Sequence, residues 1–78
     1  MGKEVEVKIL GNKYSFITDK NPEEALKIAM LVDELARKIK EEEPYSSENT
    51  IAILTALNIA DKYFELATEI EKLKDMST

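Results

Sequence analysis

The sequence predicts an α+β fold, in which an N-terminal two-stranded antiparallel hairpin and an amphipathic helix precede a long C-terminal helix that forms a coiled-coil oligomer. Three observations predict this fold. Residues 3–10 alternate between apolar and charged side chains, which is the period of a strand. Residues 22–43 place apolar side chains at helical spacing, and residues 47–76 contain neither Gly nor Pro.

The first element is a hairpin of two short strands. Gly11-Asn12 predicts its two-residue turn, because Gly accepts the positive φ that tight hairpin turns require. A turn at these residues gives the following cross-strand pairs: Leu10 with Lys13, Ile9 with Tyr14, Val7 with Phe16 and Val5 with Thr18. The large apolar side chains then share one face, and we expect that face to pack against a helix because an isolated hairpin is marginally stable.

The first helix is predicted to begin at Asn21 and to end in the acidic run before Pro44. Asn21 is a suitable N-cap, Pro22 suits the first helical position, and Glu23 lies at the positive end of the helix dipole. One face of this helix is apolar and is formed by Ala25, Leu26, Ile28, Ala29, Val32, Leu35, Ala36 and Ile39.

The long helix follows a cap at Ser46 or Ser47 and carries two apolar stripes. The first stripe has heptad spacing and consists of Ala52, Ala56, Ile59, Tyr63, Leu66, Ile70 and Leu73. The second stripe consists of Ile53, Leu57, Ala60, Phe64 and Ala67. We expect the hairpin and first helix to cover one stripe, and the other stripe with the tail to face a partner chain.

The length of the chain also favours an oligomer. Its 78 residues predict one domain, with residues 1–46 as a head and residues 47–78 as a dimerisation helix. A core this small gives little net stability, and the absence of Cys and His removes disulfides and common zinc sites as staples. The predicted oligomer interface consists of Ala56, Ile59, Tyr63, Leu66, Ile70 and Leu73.

Composition argues against several classes of function. The net charge of −5 provides no concentrated basic face, which argues against a nucleic-acid regulator, and no apolar run is long enough for a membrane span. Without His, Cys or a Gly-rich phosphate loop, the chain lacks the usual catalytic groups. We therefore expect a cytoplasmic protein that is not an enzyme and has no cofactor, metal, nucleic-acid or membrane partner.

Four basic residues leave two interpretations open. Arg37, Lys38 and Lys40 cluster on the first helix, and Lys13 lies near the hairpin tip. On the helix they have acidic neighbours at helical spacing, so they could simply form solvated ion pairs. Alternatively, they form a patch for an acidic protein partner.

Four stretches of the sequence carry a family resemblance. They are Val-Glu-Val-Lys-Ile-Leu-Gly-Asn-Lys-Tyr at 5–14, Ala-Met-Leu-Val-Asp-Glu-Leu at 29–35, Lys-Glu-Glu-Glu-Pro-Tyr at 40–45 and Ile-Ala-Ile-Leu-Thr-Ala-Leu-Asn-Ile-Ala-Asp at 51–61. Together they resemble the ZapA family of cell division proteins, particularly its short form. The most distinctive piece is Ala-Leu-Asn-Ile-Ala in the long helix.

The resemblance implies a bacterial cytoplasmic protein at the division site that binds the tubulin-like GTPase FtsZ and bundles its filaments. It further implies a homodimer, with two dimers able to join into an antiparallel tetramer. The residues that would face FtsZ are Lys13, Arg37, Lys38 and Lys40. Longer relatives carry a basic residue directly after the turn glycine, whereas this chain has Asn12 there and Lys13 next. The alternative is a structural homo-dimerisation module of another cytoplasmic complex, which shares the oligomer but not the partner.

Overall fold

The chain forms a hairpin followed by two helices, as described for residues 2–77 by a computed structural model. The elements are β1 (Lys3–Ile9), β2 (Asn12–Thr18), α1 (Pro22–Glu42) and α2 (Glu48–Met76). Asn21 caps α1 with Pro22 at its start, and Ser47 caps α2 through a 3.1 Å bond from the Thr50 backbone N–H. The predicted α+β order and the predicted N-caps are confirmed.

The predicted hairpin register is wrong by two residues. The turn lies at Leu10-Gly11, so the pairs include Val5 with Phe16 and Val7 with Tyr14. A shift of two residues keeps every side chain on the same face of the strand, because the side-chain period of a strand is two. The alternation of apolar side chains therefore fits both registers equally well.

The turn is unusual because a leucine adopts positive φ. Leu10 has φ 52° and Gly11 has φ 81°, as a type I′ turn requires at both central positions. A left-handed backbone is unfavourable for Leu, so surrounding contacts must hold it. The Leu10 side chain packs against a core cluster of Ala36, Ile39 and Ile51, and these contacts explain why the conformation persists.

The core consists of two small clusters arranged along α1. In the first cluster, Val5 and Val7 of β1 pack against Ala25 and Ala29. The small alanine side chains allow α1 to lie close to β1. The second cluster joins the other end of α1 to Ile51 of α2. Helix α1 is therefore the common anchor of the hairpin and of the long helix.

The side of α2 that faces the head differs from the prediction. Ile51 and Thr55 are buried and Leu54 is partly buried. None of these three residues belongs to the first or second stripe, so the expectation that the head covers one stripe is wrong. Thr55 is accommodated because its hydroxyl donates to the Ile51 carbonyl at 2.7 Å within the same helix. Both stripes remain uncovered in the single chain.

Replacing Gly11 with alanine should destabilise the fold by about 1–2 kcal/mol, because alanine in the left-handed region is strained. A Cβ at this position meets no atom within 4 Å, so a steric clash would not contribute. Gly11→Asn is the matched control, since Asn tolerates positive φ. Urea unfolding at a fixed chain concentration measures both variants. Equal free energies of unfolding for the two variants would contradict the backbone explanation.

Candidate functional site

An apolar cleft opens between the end of the hairpin, α1 and the start of α2. Its volume is about 400 Å³. It is lined by Ile9, Leu10, Asn12, Tyr14, Val32, Ala36, Glu48, Ala52, Thr55, Ala56 and Ile59. Most of these side chains are apolar, and the hydroxyl of Thr55 is already bonded within α2. The cleft therefore offers a surface suited to an apolar partner.

The walls of the cleft come from parts of the chain that are distant in sequence. The hairpin contributes Tyr14, which is 51% exposed because α1 packs on β1 and leaves much of the β2 side uncovered. Helix α1 contributes Val32, and α2 contributes Ala52 and Ala56. Alanine side chains on the α2 wall permit close approach of another helix.

The first stripe begins inside this cleft and continues along α2 beyond the head. Ala52, Ala56 and Ile59 line the cleft, and the later members extend as far as Leu73. Tyr63 is 73% exposed and Leu66 is 58% exposed. The cleft and the stripe thus form one continuous apolar surface. It extends along most of a helix that is about 44 Å long at 1.5 Å per residue.

The second stripe lies about 100° further around α2, because successive helical residues rotate by that angle. Phe64 is 69% exposed and Leu57 is 61% exposed. This stripe ends at Ala67, since the next positions in its spacing are Glu71 and Lys74. It is therefore shorter than the first stripe and covers only the first two-thirds of the helix.

A second apolar trough, of about 630 Å³, lies along the other flank of α1. It is lined by Ile28, Leu31, Val32, Leu35 and Ile59, with Glu34 and Lys38 among its lining residues. Val32 and Ile59 line both this trough and the cleft. The two hollows are therefore adjacent, and sequence reasoning did not find either of them because each combines separate elements.

Asp33 fastens the hairpin turn to α1. Its Oδ1 accepts a 2.8 Å hydrogen bond from the Leu10 backbone N–H, and its Oδ2 accepts a 2.9 Å bond from Arg37 Nε. The bond from Leu10 holds the pKa of Asp33 below its ordinary value of 3.8, partial burial opposes this effect, and the charge and hydrogen bond of Arg37 reinforce it. The sequence pairs Asp33 with Arg37 at helical spacing but gives no sign of the contact with Leu10.

The four basic residues predicted to face FtsZ have different surroundings. Lys13 pairs across the hairpin with Lys8, on the strand face opposite the core valines. Arg37 is the ion-paired residue described above. Lys38 lines the second trough, and Lys40 lies in the last turn of α1. All four residues are exposed on the surface, and Arg37 in addition has a structural contact with Asp33.

Residues 2–77 contain neither of two other kinds of site. Within this range no three Asp or Glu side chains are grouped in a way that could hold a metal ion. Neither α1 nor α2 is long and apolar enough to cross a membrane. The uncovered apolar surfaces are therefore the main candidate site.

A small head joined to a long helix with two uncovered apolar stripes defines a helical interaction module. Comparison with known proteins places this module in a family. The family described as "Cell division protein ZapA" matches residues 5–78, so the chain belongs to the ZapA family of cell division proteins. The resemblance found in the sequence is confirmed.

Individual relatives agree with this assignment. A cell division protein ZapA of Bacillus licheniformis is 35% identical over 68 residues, which cover 87% of this chain and 80% of the relative. A ZapA of Bacillus thuringiensis is 32% identical over 74 residues, with 95% and 83% covered. A solved ZapA mutant dimer from Geobacillus stearothermophilus has a TM-score of 0.78 and 28% identity, with 97% of this chain and 88% of that chain covered.

Replacing Asp33 with asparagine should lower stability at neutral pH, because the amide cannot attract Arg37 or accept as strongly from Leu10. The folded-state pKa of Asp33 is lowered, so its stabilising effect is full above the ordinary value of 3.8 and is lost as pH falls through the lowered pKa. Urea unfolding of wild type and D33N at neutral and at strongly acid pH measures this effect. A stability gap that stays constant into strong acid would contradict it.

Proposed function

We propose that this protein is a non-enzymatic cell division adaptor that binds FtsZ and crosslinks its filaments as a homodimer or homotetramer. It would act in the cytoplasm at the division site. In this proposal residues 1–46 form the head that contacts FtsZ, and residues 47–78 form the helix that joins copies. The ZapA family assignment and the uncovered apolar surface support the proposal, and the FtsZ partner comes from the family resemblance.

The observation that supports association most directly is the exposed surface of the single chain, which is larger than expected for a folded monomer of its mass. A folded monomer of 8.9 kDa is expected to expose about 4,800 Å². This chain exposes 6753 Å². The excess of about 1,900 Å² is more than twice the roughly 800 Å² that each partner buries in a standard interface. Association of copies would remove this excess.

The first stripe is the proposed dimer interface. Its heptad spacing suits packing against the same stripe of a second copy. Its continuity with the cleft means that the second copy's α2 would enter the cleft near Ala52 and run along the stripe to Leu73. Pairing of this kind would fix two heads on one stiff rod, as an adaptor with two binding surfaces requires.

The second stripe is the proposed surface for joining two dimers. Apolar residues beside the main heptad seam are typical of helices that pack into bundles of more than two. The stripe ends at Ala67, so the tetramer interface would be shorter than the dimer interface. An antiparallel arrangement of two dimers would place pairs of heads at opposite ends of the bundle.

Bridging of filaments follows from having several heads on one rod. After one head binds a filament, the other heads search a small volume, and their effective concentration is high. Weak binding by each head is then sufficient for strong bundling by the oligomer. The proposed FtsZ-facing side chains are Lys13, Arg37, Lys38 and Lys40, which suit an acidic surface.

Leu66→Asp and Ile70→Asp should each weaken self-association by about 2–4 kcal/mol, or roughly 30- to 800-fold, because a carboxylate would be buried in an apolar seam. Lys72→Glu is the control, since it adds negative charge on the polar back of α2. Sedimentation velocity over a concentration series measures the dissociation constant. Unchanged association of both seam variants would contradict the interface assignment.

Wild-type protein should bundle polymerised FtsZ. Single filaments sediment only at high speed, whereas the bundles should sediment at low speed. The L66D variant should reach the high-speed pellet without causing bundling, because a single head can bind but cannot bridge. A triple variant should reduce both the high-speed co-sedimentation of the protein and the low-speed pelleting of bundles; it combines Lys13→Glu, Lys38→Glu and Lys40→Glu. The control Lys72→Glu should reduce neither. Arg37 is left unchanged because it supports Asp33.

Failure of the wild-type protein to change either pellet would remove FtsZ as the partner. If the protein still formed dimers in that case, a dimerisation module of another complex would be favoured.

A further inference from the structure

One hydrogen bond joins two walls of the cleft directly. The Asn12 side chain, at the start of β2, donates from Nδ2 to the two carboxylate oxygens of Glu48 at 3.4 and 3.3 Å. Glu48 is the first residue of α2, and both residues line the cleft. The bond therefore spans from the hairpin wall to the α2 wall across 36 residues of sequence.

The other restraints on the cleft involve α1 and the second core cluster, against which Ile9 and Leu10 of the hairpin end pack. Asp33 ties the hairpin turn to α1, and Ile51 ties α2 to α1. These two restraints hold the hairpin and α2 relative to α1, which also lines the cleft. The bond between Asn12 and Glu48 is a polar link directly between the hairpin wall and the α2 wall, at the end of the cleft where α2 begins.

We propose that Asn12 and Glu48 are positioning residues for self-association, because their hydrogen bond sets the spacing of the cleft walls at which a second copy's α2 fits. This inference rests on the proposed dimer. The inference goes beyond the dimer because it assigns a role to two polar residues that lie outside both stripes.

An apolar cleft benefits from such a polar restraint. Contacts among apolar side chains are not directional, so they do not by themselves fix the distance between two walls. A hydrogen bond keeps its donor and acceptor within a limited range of distance, so the contacts of 3.4 and 3.3 Å between Asn12 and Glu48 restrain the spacing. A cleft already held at the correct width loses less freedom when the second copy binds, and this raises affinity.

The two side chains allow a test by exchanging amide and carboxylate. In N12D two carboxylates face each other and repel, which should spread the walls. In E48Q two amides face each other and can still form a neutral hydrogen bond. In the double variant N12D/E48Q the amide and the carboxylate have changed sides, so the original charge-assisted bond can form in the reverse direction. Both substitutions closely preserve side-chain shape.

We expect N12D to weaken dimerisation by roughly threefold to tenfold, as befits loss of an exposed charge-assisted contact and its replacement by repulsion. E48Q should have a smaller effect, and the double variant should return to within about twofold of wild type because the bond is restored. Added salt should relieve the N12D defect by screening, whereas a packing defect would not respond in this way. Sedimentation velocity with fluorescence detection measures these dissociation constants.

Circular dichroism of each variant, at the concentrations used for sedimentation, checks that the fold is retained. Wild-type affinity in N12D, or a double variant that is no better than N12D, would overturn the proposed role of Asn12 and Glu48 while leaving the dimer in place. If the wild-type chain itself remained monomeric, the proposed dimer would fail instead. The two failures are therefore distinguishable.

Discussion

The main constraint on this molecule is that its long helix carries more apolar surface than its own head can cover. The residues of α2 that the head buries fully or partly are Ile51, Leu54 and Thr55, and Asn12 adds a polar contact with Glu48. The first and second stripes lie further round the helix and stay exposed. Apolar stripes of this kind are favourable only when another surface covers them. The proposed oligomer, the cleft and the bridging function all follow from this imbalance between a small head and a long amphipathic rod.

The head is organised around the hairpin turn. Leu10 adopts a backbone conformation that is unfavourable for its side chain. It is held there by the carboxylate of Asp33 and by packing in the second core cluster. Asn12, two residues later, reaches Glu48 on α2. The turn and the residue after it thus link the hairpin to both α1 and α2. Several weak contacts at this one point take the place of the larger core that a longer chain could build.

Much of the fold could be predicted from the sequence because the relevant signals are local. Alternation predicted the strands, and the caps at Asn21 and Ser47 predicted the starts of the helices. The hairpin register was wrong because a shift of two residues preserves the apolar face. The head-facing side of α2 was missed because Thr55 looks polar, although its hydroxyl is satisfied within its own helix. The cleft required tertiary contacts between residues far apart in sequence, and no local pattern contains them.

The molecule is only 14 Å thick along its shortest axis, against 48 and 38 Å along the others. Along that axis the backbone extends little further than the 8–10 Å that separate the axes of two packed helices. A layer this thin has a thermodynamic consequence under the proposed assembly. Association and folding are then linked by mass action. The melting temperature therefore depends on the protein concentration and rises as the sample is made more concentrated. Dilution alone would lower the thermal stability of the protein, without any change in its sequence or in the solvent.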